Sequence, residues 1–350
     1  MTFLGRLHIV RDFPGNRWKK APVERVQIPF NDHKGDVNTF CCLQLLGIIP
    51  QFAPSSSPHP SCLSTTMAAK LAPYASTIEP SAAAEFPAEK GRYHLYVTYS
   101  CPFACRALAA RNLKGLEDVV GVSVAHPVYQ KSKPNDENDT HLGWVFVDPE
   151  ATPTIIGFNG KEYSTAGCIP DTVNNVTFVR DLYEKVDPKP RKFSVPVLWD
   201  KKKQTIVSEE SEGIVRTLDS GFSEMVPSNY QLYPEELREK IDAVENGLLA
   251  RISMSLIKSL FSKDSETARV ELEKGFVSIA ELEELLSTQR YLVSDSMTEA
   301  DIRLFNTLIR VDVSQKKDSQ QNLAQFPNVV GVSLRWSNCS GILRDCTGIL

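Results

Sequence analysis

The chain is short of basic charge, of long apolar runs and of paired cysteines. Its 39 Lys and Arg residues are outnumbered by 43 Asp and Glu, a net charge of −4. A general nucleic-acid binder carries a basic excess, so nucleic acid is not expected as a partner. The longest apolar stretch, residues 40–52 (FCCLQLLGIIPQF), is broken by Gln44 and Pro50 and is too short to span a bilayer, so no membrane partner is expected. Eight cysteines (Cys41, Cys42, Cys62, Cys101, Cys105, Cys168, Cys339 and Cys346) in 350 residues fall below the density of a disulfide scaffold. No CxxC pair and no Cys/His zinc spacing occurs, so no metal is expected. The thiols are read as free, in a reducing compartment, with the cytoplasm as the expected location. What is present, 42% hydrophobic and 23% charged residues, suits a soluble globular protein, and the length fits two domains.

Residues 1–90 differ from the rest. Residues 53–66 (APSSSPHPSCLSTT) are Ser/Pro-rich and support no regular element. Two readings stand: a low-complexity extension, with Met67 as an alternative start, or an organellar transit peptide over residues 1–66. The Arg and Ser content fits the second, and Asp12, Glu24, Asp32 and Asp36 oppose it. From Gly91 the pattern becomes regular. Residues 93–99 (YHLYVTY) read as a strand, residues 101–115 as a helix with Pro102 in its first turn, and residues 119–124 as a second strand. Strand, helix and strand in so short a span make a βαβ unit with parallel strands. A polar insertion over residues 127–165 follows, then a helical face over residues 172–186. Next come a strand over residues 193–199 with an internal proline, a short strand over 205–207, and a helix with Ser208 as its expected N-cap. Beyond residue 234 only helical periodicity remains. There Thr298 and Asp301 form an expected capping box, and Met297 a staple onto Ile302.

Three features carry chemistry. Cys101 stands where a strand gives way to a helix, so unpaired N–H groups and the positive helix end face its sulfur. Its thiol is expected below the free value, with Arg106 and Arg111 adding positive potential. Val195-Pro196 is the second feature. A central strand rarely tolerates proline, and in thioredoxin-like folds a cis-proline opposite the active-site helix leaves the preceding backbone free to pair with a peptide-like ligand. Glu210-Ser211 is the third. A helix start can hold a carboxylate, and Glu210 can accept from an ammonium group; ordinary capping is the alternative. A thiolate, a free backbone segment and a zwitterion anchor together suit γ-glutamyl-cysteinyl-glycine.

The segments GRYHLYVTYSCPFACRALAARNLKGLEDVV, KFSVPVLWDKKKQTIVSEESEGIVR and MTEADIRLF resemble the Xi-class glutathione transferases, the glutathionyl-hydroquinone reductases, over residues 91–311. The resemblance implies an α/β plus all-α protein: a thioredoxin-like N-terminal domain, placed at residues 91–226, and an all-helical glutathione-transferase C-terminal domain, placed at 227–330, with an atypical tail over 331–350. It implies Cys101 as the catalytic residue and glutathione contacts from Trp144, Val195, Glu210 and Ser211. It implies glutathione as co-substrate, a homodimer, and removal of glutathione from glutathionyl-hydroquinones through a mixed disulfide on Cys101.

The chain also departs from the family pattern. Phe103 replaces a tryptophan. Cys105 replaces a histidine and is either a structural thiol or one that resolves the Cys101 adduct. Ile257 stands where a substrate tyrosine is expected, and a second such tyrosine is missing after Asp312. Two further functions therefore remain open: an omega-like thiol transferase or dehydroascorbate reductase, and a non-catalytic glutathione-fold binding protein.

Overall fold

The computed structural model describes residues 74–262, 264–314 and 322–337. The expected leader over residues 1–66 lies outside the described residues, as do the end of the tail beyond residue 337 and Cys41, Cys42, Cys62, Cys339 and Cys346.

Strand β1 (Tyr93–Val97) is buried along its whole length. That is why its sequence shows aromatic and β-branched residues without alternation. It leads into α1 (Pro102–Leu113), which returns the chain to β2 (Gly121–Val124). β1 and β2 run parallel, with His94 opposite Gly121 and Val97 opposite Val124, as a helical crossover requires. On its other edge β1 pairs antiparallel with β3 (Val197–Asp200), Tyr96 facing Val197, and β3 pairs with β4 (Thr205–Ser208). The sheet order is β2-β1-β3-β4.

Several expected elements shift for local reasons. The helix expected over residues 172–186 is confined to α2 (Val179–Val186). Asp171 takes the N–H groups of Val173, Asn174 and Val176 at 2.9, 3.2 and 3.1 Å, which offers that backbone a non-helical solution. The strand expected over residues 193–199 begins only after Pro196, at Val197, because proline has no donor for the ladder. The Val195-Pro196 bond is cis. The polar insertion holds two short hairpins, residues 130–131 with 142–143 and residues 154–156 with 162–164. Helix α3 (Ser211–Ser220) is capped by Glu210, whereas Ser208, the expected cap, lies in β4 and accepts the Glu210 N–H at 3.2 Å.

Residues 74–90 correct the expected extension. Ala75 bridges to Ser208, the Ser76 N–H donates to the Val207 carbonyl at 3.0 Å, and Ile78 and Phe86 are buried. Their Ala/Pro/Ser composition has no period to read, but they extend the β4 edge and cover it.

The second half is helical: α4 (Arg238–Val244), a π turn over Glu245–Leu249, α5 (Ala250–Phe261), α6 (Ser265–Thr288), α7 (Glu299–Ser314) and α8 (Pro327–Ser337). Asp301 reaches back to the Thr298 N–H at 2.9 Å, as the capping box requires, and also takes the Leu292 N–H at 2.9 Å. The Thr298 hydroxyl donates to Asp301 at 3.1 Å instead of capping the helix. Helix α1 lies between the halves, against α3 on one side and α7 on the other. No described helix is long and apolar enough to cross a membrane.

The β3–β4 turn is held by Asp200. Its two carboxylate oxygens each accept from Arg92 Nε at 3.0 Å, and one takes the Lys202 and Lys203 N–H groups at 2.8 and 3.2 Å. Burial alone would raise this carboxyl; the Arg92 guanidinium and the two amides outweigh burial and hold it below the usual range. Asp200→Ala strands a buried guanidinium and is expected to cost about 3–5 kcal/mol. A urea titration reads this as a lower midpoint at unchanged slope; a midpoint equal to wild type would show that the pair holds nothing together.

Candidate active site

The register of β1 against β3 builds the site. With Tyr96 opposite Val197, the residues that follow β1 lie beside the residues that precede β3. Cys101 follows β1 and Val195 precedes β3, and the Cys101 thiol donates to the Val195 carbonyl at an Sγ···O distance of 3.7 Å. The Val195 N–H makes no hydrogen bond among the described residues.

Cys101 is the N-cap of α1. Its backbone is extended (φ −87°, ψ 117°), its carbonyl accepts the Cys105 N–H at 2.9 Å, and Pro102 takes the first helical position. No acidic residue occupies the first turn. Cys101 is only 5% exposed. Burial pushes the Cys101 thiol up to about 11, against the pull of the Ala104 amide, the Arg310 guanidinium and the Phe103 amide. The expected low thiol is thereby corrected: the positive helix end is present, and burial exceeds it.

The source of positive charge is corrected as well. Arg106 turns away from Cys101 and grips Ser211 Oγ through Nε and Nη2 at 3.0 and 2.6 Å. Arg111 donates to the Val120 and Glu117 carbonyls at 2.6 and 3.0 Å. The cation that acts on the Cys101 sulfur is Arg310 of α7. Sequence reasoning missed it, because it lies 210 residues from Ser100, whose carbonyl it bonds, and no local pattern marks it.

Glu210 and Ser211 sit at the start of α3. Glu210 accepts the Glu212 N–H at 3.0 Å and the Gly213 N–H. Its side chain is 42% exposed and lies 3.9 Å from Arg106. Both residues therefore serve the helix start here, Glu210 as cap and Ser211 as acceptor for buried Arg106. Glu210 keeps an exposed face, and Arg106 adds fixed positive charge beneath it.

Trp144 is buried, and its ring lies 4.1 Å from that of Tyr129. Burial raises the Tyr129 hydroxyl, and the charge of Cys101 raises it further, which places Tyr129 within electrostatic reach of the sulfur. Tyr129 thus packs on Trp144 and lies within charge range of Cys101. Sequence reasoning passed over it; an aromatic residue in the turn just after β2 was the available signal. Cys105 is buried, donates to the Tyr99 carbonyl at 3.0 Å and accepts from Arg310 Nη2 at 3.2 Å. Phe103 is exposed beside the nucleophile, and Ile257 is half-buried on α5.

One carboxylate cluster lies apart from the thiol. Single oxygens of Glu212, Asp242 and Glu299 fall within 4.8 Å of one another. Arg216 Nη2 reaches all three, at 2.7, 2.8 and 2.7 Å, so a guanidinium supplies the positive charge there.

The chain is similar to known glutathione transferases in sequence and in fold. The family model for the glutathione S-transferase C-terminal domain matches residues 271–332. The chain is 35% identical over 256 residues to glutathionyl-hydroquinone reductase YqjG of Escherichia coli strain K12, covering 72% of this chain and 70% of that protein. It is 35% identical over 238 residues to glutathione S-transferase omega-like 2 of Schizosaccharomyces pombe, covering 65% of this chain and 66% of that one. A crystal structure of a Saccharomyces cerevisiae Xi glutathione transferase in complex with glutathione superposes with a TM-score of 0.67 at 29% identity, covering 78% of this chain and 89% of that one. The chain belongs to the Xi-class glutathione transferases, the family of the glutathionyl-hydroquinone reductases, and is a glutathione-dependent enzyme with a thioredoxin-like domain followed by a glutathione-transferase helical domain.

Proposed function

We propose that the protein reductively deglutathionylates glutathionyl-hydroquinones through a mixed disulfide on Cys101. The observation that carries this reading is the Cys101 sulfur at the N-terminus of α1, across from the Val195 backbone. The bound peptide pairs with the Val195 backbone, its γ-glutamyl ammonium meets the exposed face of Glu210, and its carboxylate lies at the α3 start by Ser211. Trp144, backed by Tyr129, lines the groove.

The Cys101 thiolate attacks the sulfur of the glutathionyl adduct. The carbon–sulfur bond breaks, its electron pair goes to the ring carbon, and that carbon is protonated as the hydroquinone leaves. The thiolate of a second glutathione then attacks the mixed disulfide. Oxidised glutathione departs and the Cys101 thiolate returns. The two electrons that reduce the aromatic carbon come from the two glutathione sulfurs. A hydroxyl at position 101 cannot form the disulfide, so this chemistry requires cysteine. The functional unit is a homodimer, in the cytoplasm.

Cys105 acts as a structural thiol in this scheme. Its sulfur is held between the Tyr99 carbonyl and Arg310, and glutathione itself resolves the adduct. A second acceptor class is favoured by Ile257, which offers no hydroxyl at the expected tyrosine position: a smaller oxidised acceptor such as dehydroascorbate or a mixed disulfide.

Purified protein is expected to turn over glutathionyl-menadiol, read by absorbance and mass spectrometry. Cys101→Ser should abolish that turnover; full activity in this variant would sink the exchange mechanism. Turnover of dehydroascorbate alone would select the smaller acceptor, and tight glutathione binding without any turnover would select a binding protein. Since burial sets the Cys101 thiol near 11, its thiolate fraction grows roughly tenfold per pH unit at and above neutrality. Alkylation of Cys101 should therefore steepen with pH from 7 to 9 with no plateau, whereas a plateau beginning below 7 would contradict the burial argument. Glu210→Gln should raise KM for glutathione about tenfold, a loss of roughly 1.4 kcal/mol, with far less effect on kcat. After mild oxidation with oxidised glutathione, intact mass should show one adduct on Cys101 with Cys105 still alkylatable under denaturing conditions. Loss of two hydrogens with no adduct would instead make Cys105 a resolving thiol.

A further inference from the structure

Arg310 occupies an unusual place. It belongs to α7 of the helical domain, yet two of its bonds end in the turn that carries Cys101 and a third on Cys105, one turn into α1. Nη2 donates to the Tyr99 carbonyl at 2.8 Å and to Cys105 Sγ at 3.2 Å, and Nε donates to the Ser100 carbonyl at 3.2 Å. Nη1 returns to α7 at the Asn306 carbonyl, 2.6 Å away. The planar guanidinium thus spans the two carbonyls immediately before the nucleophile and fixes them to the far domain, a geometry that a lysine ammonium cannot reproduce. Among the described residues no carboxylate pairs with it.

We propose that Arg310 is the positioning residue for Cys101: the helical domain holds the nucleophile's turn in place through this guanidinium and sets a positive charge beside the sulfur. The proposal rests on Cys101 being the nucleophile but not on which acceptor it serves. Among the described residues, the charged or titratable groups that act on the sulfur come from three elements. They are Cys105 one turn along α1, Tyr129 from the turn after β2, and Arg310 from α7. Of these three, Arg310 is the cation. Tyr99 and Ser100 carbonyls would otherwise present their negative ends near a developing thiolate, and Arg310 occupies both. Its contact with Cys105 gives the residue at that position a use as an acceptor, consistent with a structural thiol.

Two variants separate the charge from the fork. Arg310→Gln keeps a donor and removes the charge; Arg310→Lys keeps the charge and removes the fork. The readouts are the second-order rate of Cys101 alkylation by iodoacetamide between pH 7 and 9, and hydrogen exchange of the backbone amides in residues 98–101, both on the full chain. In Arg310→Gln the line of log rate against pH is expected to move to higher pH by about one unit, roughly a tenfold lower rate at fixed pH. In Arg310→Lys that line should stay with wild type, while exchange in residues 98–101 should quicken in both variants. A Gln line superimposed on the wild-type line would overturn the charge role. Unchanged exchange in both variants would overturn the positioning role, and a lower melting temperature alone would leave Arg310 as mere interface packing. No alkylation of wild-type Cys101 at any pH, with Cys101 reactive after unfolding, would remove the nucleophile itself. Because no arm uses glutathione or a quinone, failure here is distinguishable from failure of the proposed reaction.

Discussion

The antiparallel pairing of Tyr96 with Val197 is the constraint from which the rest of the site follows. It sets two chain breaks side by side, the end of β1 and the start of β3. One break must open a helix, so it places an N-cap residue there. The other carries a proline, so the ladder cannot extend upstream and its backbone stays available. A register shift of one residue would turn every side chain of β3 over, bury the wrong face of Val197–Asp200 and separate Asp200 from Arg92. Catalytic geometry and sheet stability are therefore fixed by the same pairing. The buried Arg92–Asp200 pair secures the far end of β3, and the near end is left to chemistry.

Acidity at Cys101 is a contest between two effects of known size. A helix N-terminus stabilises a negative charge by about 0.3–1 kcal/mol, or up to about 2 in favourable buried sites. One pKa unit corresponds to about 1.4 kcal/mol, so the helix end is worth roughly one unit. Full burial of a thiol shifts it upward by as much as about 3–5 units. With Cys101 5% exposed, burial wins. The sequence argument failed here because it counted the helix end, which is local and legible, and could not count solvent exclusion by α7 and the Val195 segment, which is tertiary.

The same division runs through the whole molecule. The βαβ unit, the N-cap cysteine, the strand-breaking proline, the Glu210-Ser211 helix start and the Asp301 box were legible, because each is a pattern within a few residues. The start of α2 was not, since Asp171 lies outside the apolar period it interrupts. Residues 74–90 looked like low-complexity sequence because edge covering is achieved by backbone pairing with Val207 and Ser208 rather than by side-chain pattern. Arg106 was legible as a charge near Cys101 but not as the partner of Ser211; its direction depends on α3 packing against α1. Arg310 is a single residue brought into the site from distant chain, and no spacing rule reaches it, whereas Tyr129 was marked only by being an aromatic residue soon after β2.

Polar contacts cross the domain boundary in both directions. From the first domain, Arg216 of α3 reaches Asp242 and Glu299 of the helical domain and stacks on Tyr233 at 3.6 Å. From the helical domain, the Leu232 and Tyr233 N–H groups donate to Asp219 at 3.0 and 3.1 Å, and Arg310 reaches back to carbonyls and a sulfur instead of carboxylates. The Arg216 cluster is incompletely satisfied: Glu299 Oε2 and nearby Glu245 Oε1 are buried without a partner, and burial raises the Glu299 carboxyl to about 7. Such a cluster adds little net stability, because desolvation offsets most of its Coulomb energy. What it does impose is orientation, since one half-buried guanidinium shared by three carboxylates tolerates few arrangements of them. Orientation is what the active site needs from that interface: α7 carries Glu299 at its first turn and Arg310 toward its last, so seating Glu299 on Arg216 aims Arg310 at the Cys101 turn.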